Sequence, residues 1–227
     1  TDATLTEDEY AAKLLSILNI HGVNKGEIKG AIISSVVPPL NSIMKKAVNF
    51  VCGITPMLVG PGIKTGINIH CDDPSSVGAD LICCCVAANT LYGSPCLIVD
   101  MGTATTMVVL DKNGALVGGC ICPGVKVSLD ALTGKTALLP GIQLDQPKKA
   151  IGRNTIDCMR SGIMMGAACM IDGMIERMEA ELGYETTVIA TGGIAKFVLP
   201  MCHTSILYDK DLLLKGLATL YAENQKD

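Results

Sequence analysis

The sequence contains no tryptophan, only five tyrosines and two phenylalanines in 227 residues. Because 49% of its residues are hydrophobic, a sizeable core is still expected, filled by Ile, Leu, Val, Met, Ala and Cys. Histidine is scarce as well: His21, His70 and His203 lie far apart, and no C-x-x-C or paired-His spacing occurs, so a zinc site is not expected. Basic blocks are missing and the formal net charge is −4. That argues against nucleic acid as a partner, since duplex binding needs a concentrated set of phosphate-neutralising Lys and Arg. A single nucleotide, held by a backbone loop and one metal ion, is not excluded. Long uninterrupted apolar runs are also lacking: the run at 163–175 is broken by Asp172 and by glycine, so no membrane association is expected. The first residues are polar and acidic and do not read as a signal peptide. The 11 cysteines include consecutive Cys83, Cys84 and Cys85, and the odd total leaves at least one unpaired. This usage predicts a reducing, cytoplasmic setting.

The densest information lies at 96–124, CLIVDMGTATTMVVLDKNGALVGGCICPG. An apolar strand runs into Asp100 and the loop Met101-Gly102-Thr103-Ala104-Thr105-Thr106, from which a β-branched strand leaves. Gly102 lets the backbone approach an anion. The threonines supply hydroxyl and N–H donors, and Asp100 can ligate or orient a cation. The loop therefore suits a phosphate with its counter-ion, although the same residues also make an ordinary hairpin loop.

A chain of this length is one large domain or two small ones, at roughly 100–200 residues each. Thr6 and Glu9 form a capping-box pattern before a helix at 7–18. Strands are expected at 30–36 and 57–59, with helices at 40–52, after Pro38-Pro39, and at 77–91. From Pro95 the pattern changes to strands at 96–100, 105–111 and 115–122, with Asp111-Lys-Asn-Gly114 as a hairpin signal. Helices at 125–132, 155–182 and 211–223 and strands at 187–191 and 205–208 follow. Residues 95–223 thus read as one complete α/β unit of three meandering strands, then helix, strand, helix, strand, helix. The front part reads as the same unit without its first three strands, an N-terminal truncation; a single irregular α/β domain is the other reading.

Taken in order, ISSVVPPLN (33–41), GPGIKTG (60–66), DDPSSVGAD (72–80), DMGTATT (100–106), GGCICPGVKVSLDAL (118–132), TALLP (136–140), IGRNT (151–155), SGIMMG (161–166) and TGG (191–193) resemble the type III pantothenate kinases. These belong to the actin-like, ribonuclease-H-like superfamily of two-lobed phosphotransferases. The resemblance runs nearly end to end. It implies two ribonuclease-H-like lobes, 1–94 lacking its N-terminal strands and 95–227 complete. It also implies ATP-dependent phosphorylation of the primary hydroxyl of pantothenate, Mg²⁺, a monovalent cation (K⁺ or NH₄⁺), and a homodimer with the acceptor near the subunit interface. By the same resemblance Asp80 matches the general base, with Gly78, Ala79 and Leu81 around the acceptor. Thr155 reaches the acceptor across the dimer interface, Asp100 matches the monovalent-cation ligand, and Gly102, Thr103 and Thr105 contact the nucleotide. Gly192 and Gly193 offer it bare backbone. The Gly- and Met-rich surface of helix 155–182 is the candidate dimer contact.

Three departures bear on activity. The family's D-x-G-N-T strand-loop has no copy in this sequence, and turnover is expected only in a form extended at the N-terminus. Gly134-Lys135-Thr136 is no substitute, because a P-loop requires glycine at position 129, which is Leu. The family's GADR reads GADL, so Leu81 supplies no guanidinium for an anionic substrate, and a tyrosine usual in the acceptor pocket aligns with Cys71. Two readings follow: the kinase itself, or a non-catalytic relative that keeps the fold and dimer surface with impaired turnover.

Overall fold

Residues 2, 4–136 and 138–225 are described by a computed structural model; Ala137, within the TALLP motif, lies outside them. The chain divides into two compact units, Thr1–Gly66 with Ser75–Ala87 and Leu213–Asp227, and Ile67–Pro74 with Ala88–Leu212. Both are mixed α/β.

The first unit opens with α1 (Glu7–Ile20), whose capping box forms as read: the Thr6 N–H donates to Glu9 Oε2 at 2.8 Å. Its buried Ala11 meets Ala47 and Val51 of α2 (Pro38–Cys52). Two short parallel strands, β1 (Ile32–Ile33) and β2 (Met57–Leu58), pair with Ile32 opposite Met57. The expected strand at 30–36 is cut to two residues because Ser35 turns the chain. Its Oγ accepts from the Val37 N–H at 3.1 Å, and Pro38 and Pro39 then start α2. α3 (Ala79–Tyr92) buries Cys83, Cys84, Cys85, Val86 and Ala87. α7 (Leu212–Glu223), nearly all of it in this unit, crosses α3 where Gly216 lies against the Cys83 carbonyl with no room for a Cβ. At its end Asn224 accepts from the Lys64 N–H and donates to the Lys64 carbonyl, both at 2.9 Å, and so anchors the GPGIKTG loop.

The second unit is built on a five-stranded sheet: β3 (Cys96–Met101), β4 (Ala104–Leu110), β5 (Leu116–Pro123), β6 (Thr187–Thr191) and β7 (Leu207–Tyr208), in spatial order β5-β4-β3-β6-β7. The first three form the expected antiparallel meander and the last two run parallel to β3 and β6. At the predicted hairpin Asp111 accepts from the Asn113 and Ala115 N–H groups at 2.8 and 2.9 Å. On one face of β3, Leu97, Val99 and Met101 pack with Met164, Ala168, Ile171 and Ile175 of α5 (Thr155–Leu182), each fully or almost fully buried. Each large side chain buried there stabilises the fold by about 1.5–3 kcal/mol. α4 (Val125–Gly134) and α6 (Ala195–Val198) complete the unit.

At 28 residues α5 is longer than the apolar run in its sequence, and by length and mean hydropathy alone it meets the requirement for a membrane span. One stripe of it, a third of its apolar stretch, is buried and faces the sheet. Asp172 accepts from the His203 and Thr204 N–H groups at 2.8 and 3.0 Å, so α5 packs as an amphipathic helix on its own unit.

Candidate active site

In the first unit the chemistry gathers at the start of α3. Gly78 precedes the helix, and a Cβ there would lie 2.5 Å from Asp80 Oδ1, so the missing side chain leaves the carboxylate its place. Asp80 accepts from the Leu81 N–H at 2.9 Å, and a carboxylate in a first turn is favoured by the helix dipole. Ala79, Asp80 and Leu81 are all half-buried. Asp80 lines a cavity of about 320 Å³ together with Ser34, Ser35, Val36, Val37 and the rings and chains of Tyr10, Leu40, Met44 and Leu213. The Ser34 hydroxyl is buried there and has no hydrogen-bond partner among the described residues. Its polar neighbour is the Cys83 thiol, a weak partner that burial, with the Asp80 charge, pushes up to about 11.

In the second unit the sequence-predicted residues cluster where β3 and β6 end. Gly102 and Thr103 form the exposed tip between β3 and β4, closed by the Gly102 N–H donating to the Ala104 carbonyl at 3.0 Å. Gly192, at φ +96°, lies flat on the Met101 peptide, and Gly124 lies on the Gly102 and Thr103 carbonyls; neither site has room for a Cβ. The turn is thus gripped from two sides by backbone. Gly193 is exposed and faces open space.

One expectation needs correcting. Thr105 is 1% exposed, and its side chain belongs to the buried face of β4 rather than to a nucleotide. Register gives the reason: Asp100 stands opposite Thr106 on β4 and opposite Thr191 on β6, so these three side chains share one face of the sheet. Thr106 Oγ1 is buried with no hydrogen-bond partner among the described residues. The carboxylate and hydroxyl oxygens make a hard donor set of low charge. No group of three or more His, Cys, Asp or Glu side chains suited to a metal occurs among the described residues.

Thr155 is the exposed first residue of α5, whose cap is Asn154, accepting from the Asp157 N–H at 2.9 Å. Cys71 is half-buried beside the Leu116 carbonyl, 3.9 Å from its Sγ. The structure therefore groups Gly78, Ala79, Asp80 and Leu81 in one unit, and Asp100, Gly102, Thr103, Gly192 and Gly193 in the other. Thr155 and Cys71 stand at separate points of that second unit. Ser34, Thr106, Thr191 and Gly124 were not singled out by sequence reasoning. Centring the turn on Thr103 would have found Thr106, since that register puts residues 100 and 106 opposite each other. All 11 cysteines are free, and burial pushes Cys96 and Cys202 up to about 12, so neither is a reactive thiolate.

Known proteins resemble this chain at two levels. A family model described as type III pantothenate kinase matches residues 1–177. The type III pantothenate kinase of Halalkalibacterium halodurans is 43% identical over 224 residues, 99% of this chain and 88% of that protein. That of Bacillus cytotoxicus is likewise 43% identical, over 99% of this chain and 86% of its own length. Among solved structures, a protein of Campylobacter jejuni described as a Baf family transcriptional activator superposes with a TM-score of 0.63 at 20% identity, covering 88% of this chain and 87% of its own. A reductive activator for a corrinoid, iron–sulfur protein gives 0.52 at 13% identity, over 97% of this chain and 52% of that one. At such identities the last two speak to fold alone.

Proposed function

The chain belongs to the type III pantothenate kinase family, and from that membership we propose how its own residues divide the work. It is a kinase that uses ATP to phosphorylate the primary hydroxyl of pantothenate, yielding 4'-phosphopantothenate for coenzyme A synthesis. The reading of a non-catalytic relative is not favoured, because the matched relatives carry the kinase's name over nearly the whole chain.

Asp80 is the general base. Phosphoryl transfer asks a protein chiefly for in-line positioning and charge neutralisation, with one carboxylate to take the hydroxyl proton. The observation that carries this assignment is the cavity at the start of α3, where a carboxylate and a buried hydroxyl, Ser34, with only the weakly bonding Cys83 thiol as its polar neighbour, stand among apolar walls. At about 320 Å³ it suits a small ligand with one polar end. Gly78 and Ala79 bring the backbone beside the acceptor there. Leu81, next to Asp80, offers the acceptor no cation.

The nucleotide is read by the tip Gly102-Thr103, through its N–H groups and the exposed Thr103 hydroxyl, and by Gly192-Gly193, where bare backbone admits a flat ring. A monovalent cation fits beside Asp100, since the Thr106 hydroxyl in the same row is buried without a hydrogen-bond partner among the described residues. K⁺ or NH₄⁺ held by Asp100 and Thr106 would supply positive charge next to the polyphosphate. Mg²⁺ is expected to ride on the phosphates, as it does where a protein offers few carboxylates. By ancestry the chain reads as two lobes of the superfamily, 1–94 and 95–227, although by contacts 67–74 and 88–94 group with the second unit and 213–227 with the first. Thr155 reaches the acceptor of a second copy in a homodimer. The open face of α5 at Gly162, Gly166 and exposed Cys169 supports that contact, and eleven free thiols support a cytoplasmic setting.

The test is a coupled assay with pantothenate, MgATP and K⁺ or NH₄⁺. Turnover that Asp80→Asn abolishes while pantothenate still binds is the expected result. Unchanged turnover in that variant would remove Asp80 from the mechanism.

A further inference from the structure

Two serines stand side by side where β1 ends, and they are spent differently. Ser35 Oγ accepts from the Val37 N–H at 3.1 Å and shapes the turn into α2. Ser34 Oγ is buried with only the Cys83 thiol, a weak partner, beside it. A hydroxyl placed in this way costs stability, because it has given up water for little in return, and an alanine there would not. Ser34 also lines the cavity of about 320 Å³ that Asp80 lines, and a step of one rotamer about χ1 turns its hydroxyl from the thiol towards that space. The other polar side chains of the lining are already engaged: Ser35 in its turn, and Tyr10, whose hydroxyl donates to the Asp2 carbonyl at 2.6 Å. One carboxylate and one neutral hydroxyl thus remain for a ligand, between walls that include Val36, Val37, Leu40 and Met44. All of these residues belong to the first unit.

The reacting end of pantothenate has the matching chemistry. Its primary hydroxyl and its secondary hydroxyl flank one carbon that bears two methyl groups. We propose that Ser34 is a specificity-determining residue that hydrogen-bonds the secondary hydroxyl, while Asp80 meets the primary one and the apolar walls receive the methyl groups. The proposal rests on the reading of Asp80 as the general base in this cavity. Ser34 touches substrate but not the reacting atoms. Its effect is to fix the rotation of the diol, so that the primary oxygen is presented to the carboxylate. A site with a buried hydroxyl meant for a substrate hydroxyl also disfavours an acceptor that lacks it, because the serine is then left badly paired.

The experiment compares pantothenate with its deoxy analogue, in which hydrogen replaces the secondary hydroxyl and the primary one is unchanged. Both kcat/KM and equilibrium binding by calorimetry are measured, so that the result does not depend on turnover alone. The wild-type protein is expected to prefer pantothenate roughly tenfold. Ser34→Ala should bring that preference close to one, by weakening pantothenate while the deoxy analogue binds as before. Ser34→Thr, which keeps a hydroxyl, should restore part of it. Without ligand, Ser34→Ala should melt at or above the wild-type temperature, since it removes a poorly paired buried group. A preference that survives in Ser34→Ala overturns the proposal. So does an equal weakening of both acceptors together with a lowered melting temperature, the result that a purely structural serine would give. If Asp80→Asn abolishes turnover and Ser34→Ala keeps the preference, Ser34 alone falls. Normal turnover in Asp80→Asn, or a wild-type chain that binds neither acceptor, removes the reading of the cavity and Ser34 with it.

Discussion

The two units hold their candidate groups, Asp80 in the first and the Gly102-Thr103 tip in the second, by different means. In the second unit the turn at Gly102-Thr103 is fixed by main chain on main chain: Gly192 on the Met101 peptide, Gly124 on the carbonyls of the tip, and a β3 strand whose apolar side chains are wholly buried. In the first, β1 and β2 are two residues each. There Asp80 is held by a helix start, by the absence of a side chain at Gly78, and by the α3–α7 crossing at Gly216 and Cys83. On the proposed roles, a phosphate-binding tip must be rigid because its donors are amides that cannot adjust, whereas a general base needs only one side chain correctly aimed, for which a helix terminus over a cavity suffices. The division of labour predicts that chemistry and stability separate by unit.

The sharpest break is Asp80→Asn. It should lower kcat by about 10²–10⁴-fold, the usual worth of a positioned base, while the melting temperature stays within about a degree of wild type. A rate loss accompanied by unfolding would mean that Asp80 serves α3 as a structural cap, and the contrast between the units would collapse.

Next in size are the paired glycines. At Gly192 an added Cβ must adopt φ +96° and would overlap the Met101 backbone. Gly192→Ala is therefore expected to destabilise the protein by about 3 kcal/mol or more and to weaken ATP binding with it. Gly216→Ala meets the Cys83 carbonyl instead, within a helix-on-helix contact. It should cost about as much stability, while ATP affinity per folded molecule holds. Thermal melts with and without ATP distinguish the two cases, since a ligand stabilises by mass action only where it still binds. Equal loss of nucleotide binding in both variants would refute the local grip on the tip.

Leu81→Arg should act in the opposite direction. A guanidinium in the first turn of α3 returns a cation to the acceptor side, and pantothenate binding is expected to tighten by about 1–3 kcal/mol. Titration of pantothenate into the two proteins measures this. No change would indicate that position 81 faces away from the acceptor.

Much of this arrangement could be read from the sequence because strong periodic and capping signals agreed with tertiary packing. The capping box at Thr6, the meander of β3 to β5 and the 155–182 helix all form at or within two residues of their expected places. What escaped was decided by register and long-range approach. Thr105 reads in the sequence as a nucleotide contact, but the pairing of Asp100 with Thr106 puts the Thr105 side chain in the core and Thr106 in the row of Asp100. Ser34 lay in a recognised motif, yet only the packing of α3 reveals a buried hydroxyl without a partner. The last helix continues the second half in sequence but joins the first unit in space, because Gly216 permits close contact with α3. No local pattern encodes such a crossing.

The smallest expected effect concerns Asp172, the carboxylate that ties α5 to the segment before β7. Burial raises its pKa, but the hydrogen bonds from the His203 and Thr204 N–H groups outweigh burial and hold it below the ordinary carboxylate value. A folded pKa below that of the unfolded chain, about 3.9 for Asp, means the contribution is complete above that value and is lost as pH falls through the folded pKa. Asp172→Asn should therefore melt below wild type at pH 7, with the gap closing as pH drops below about 4. The amides it caps, at His203 and Thr204, belong to the segment before β7. A gap that is constant across the whole acid range would show that the lost contact is one of shape rather than of charge.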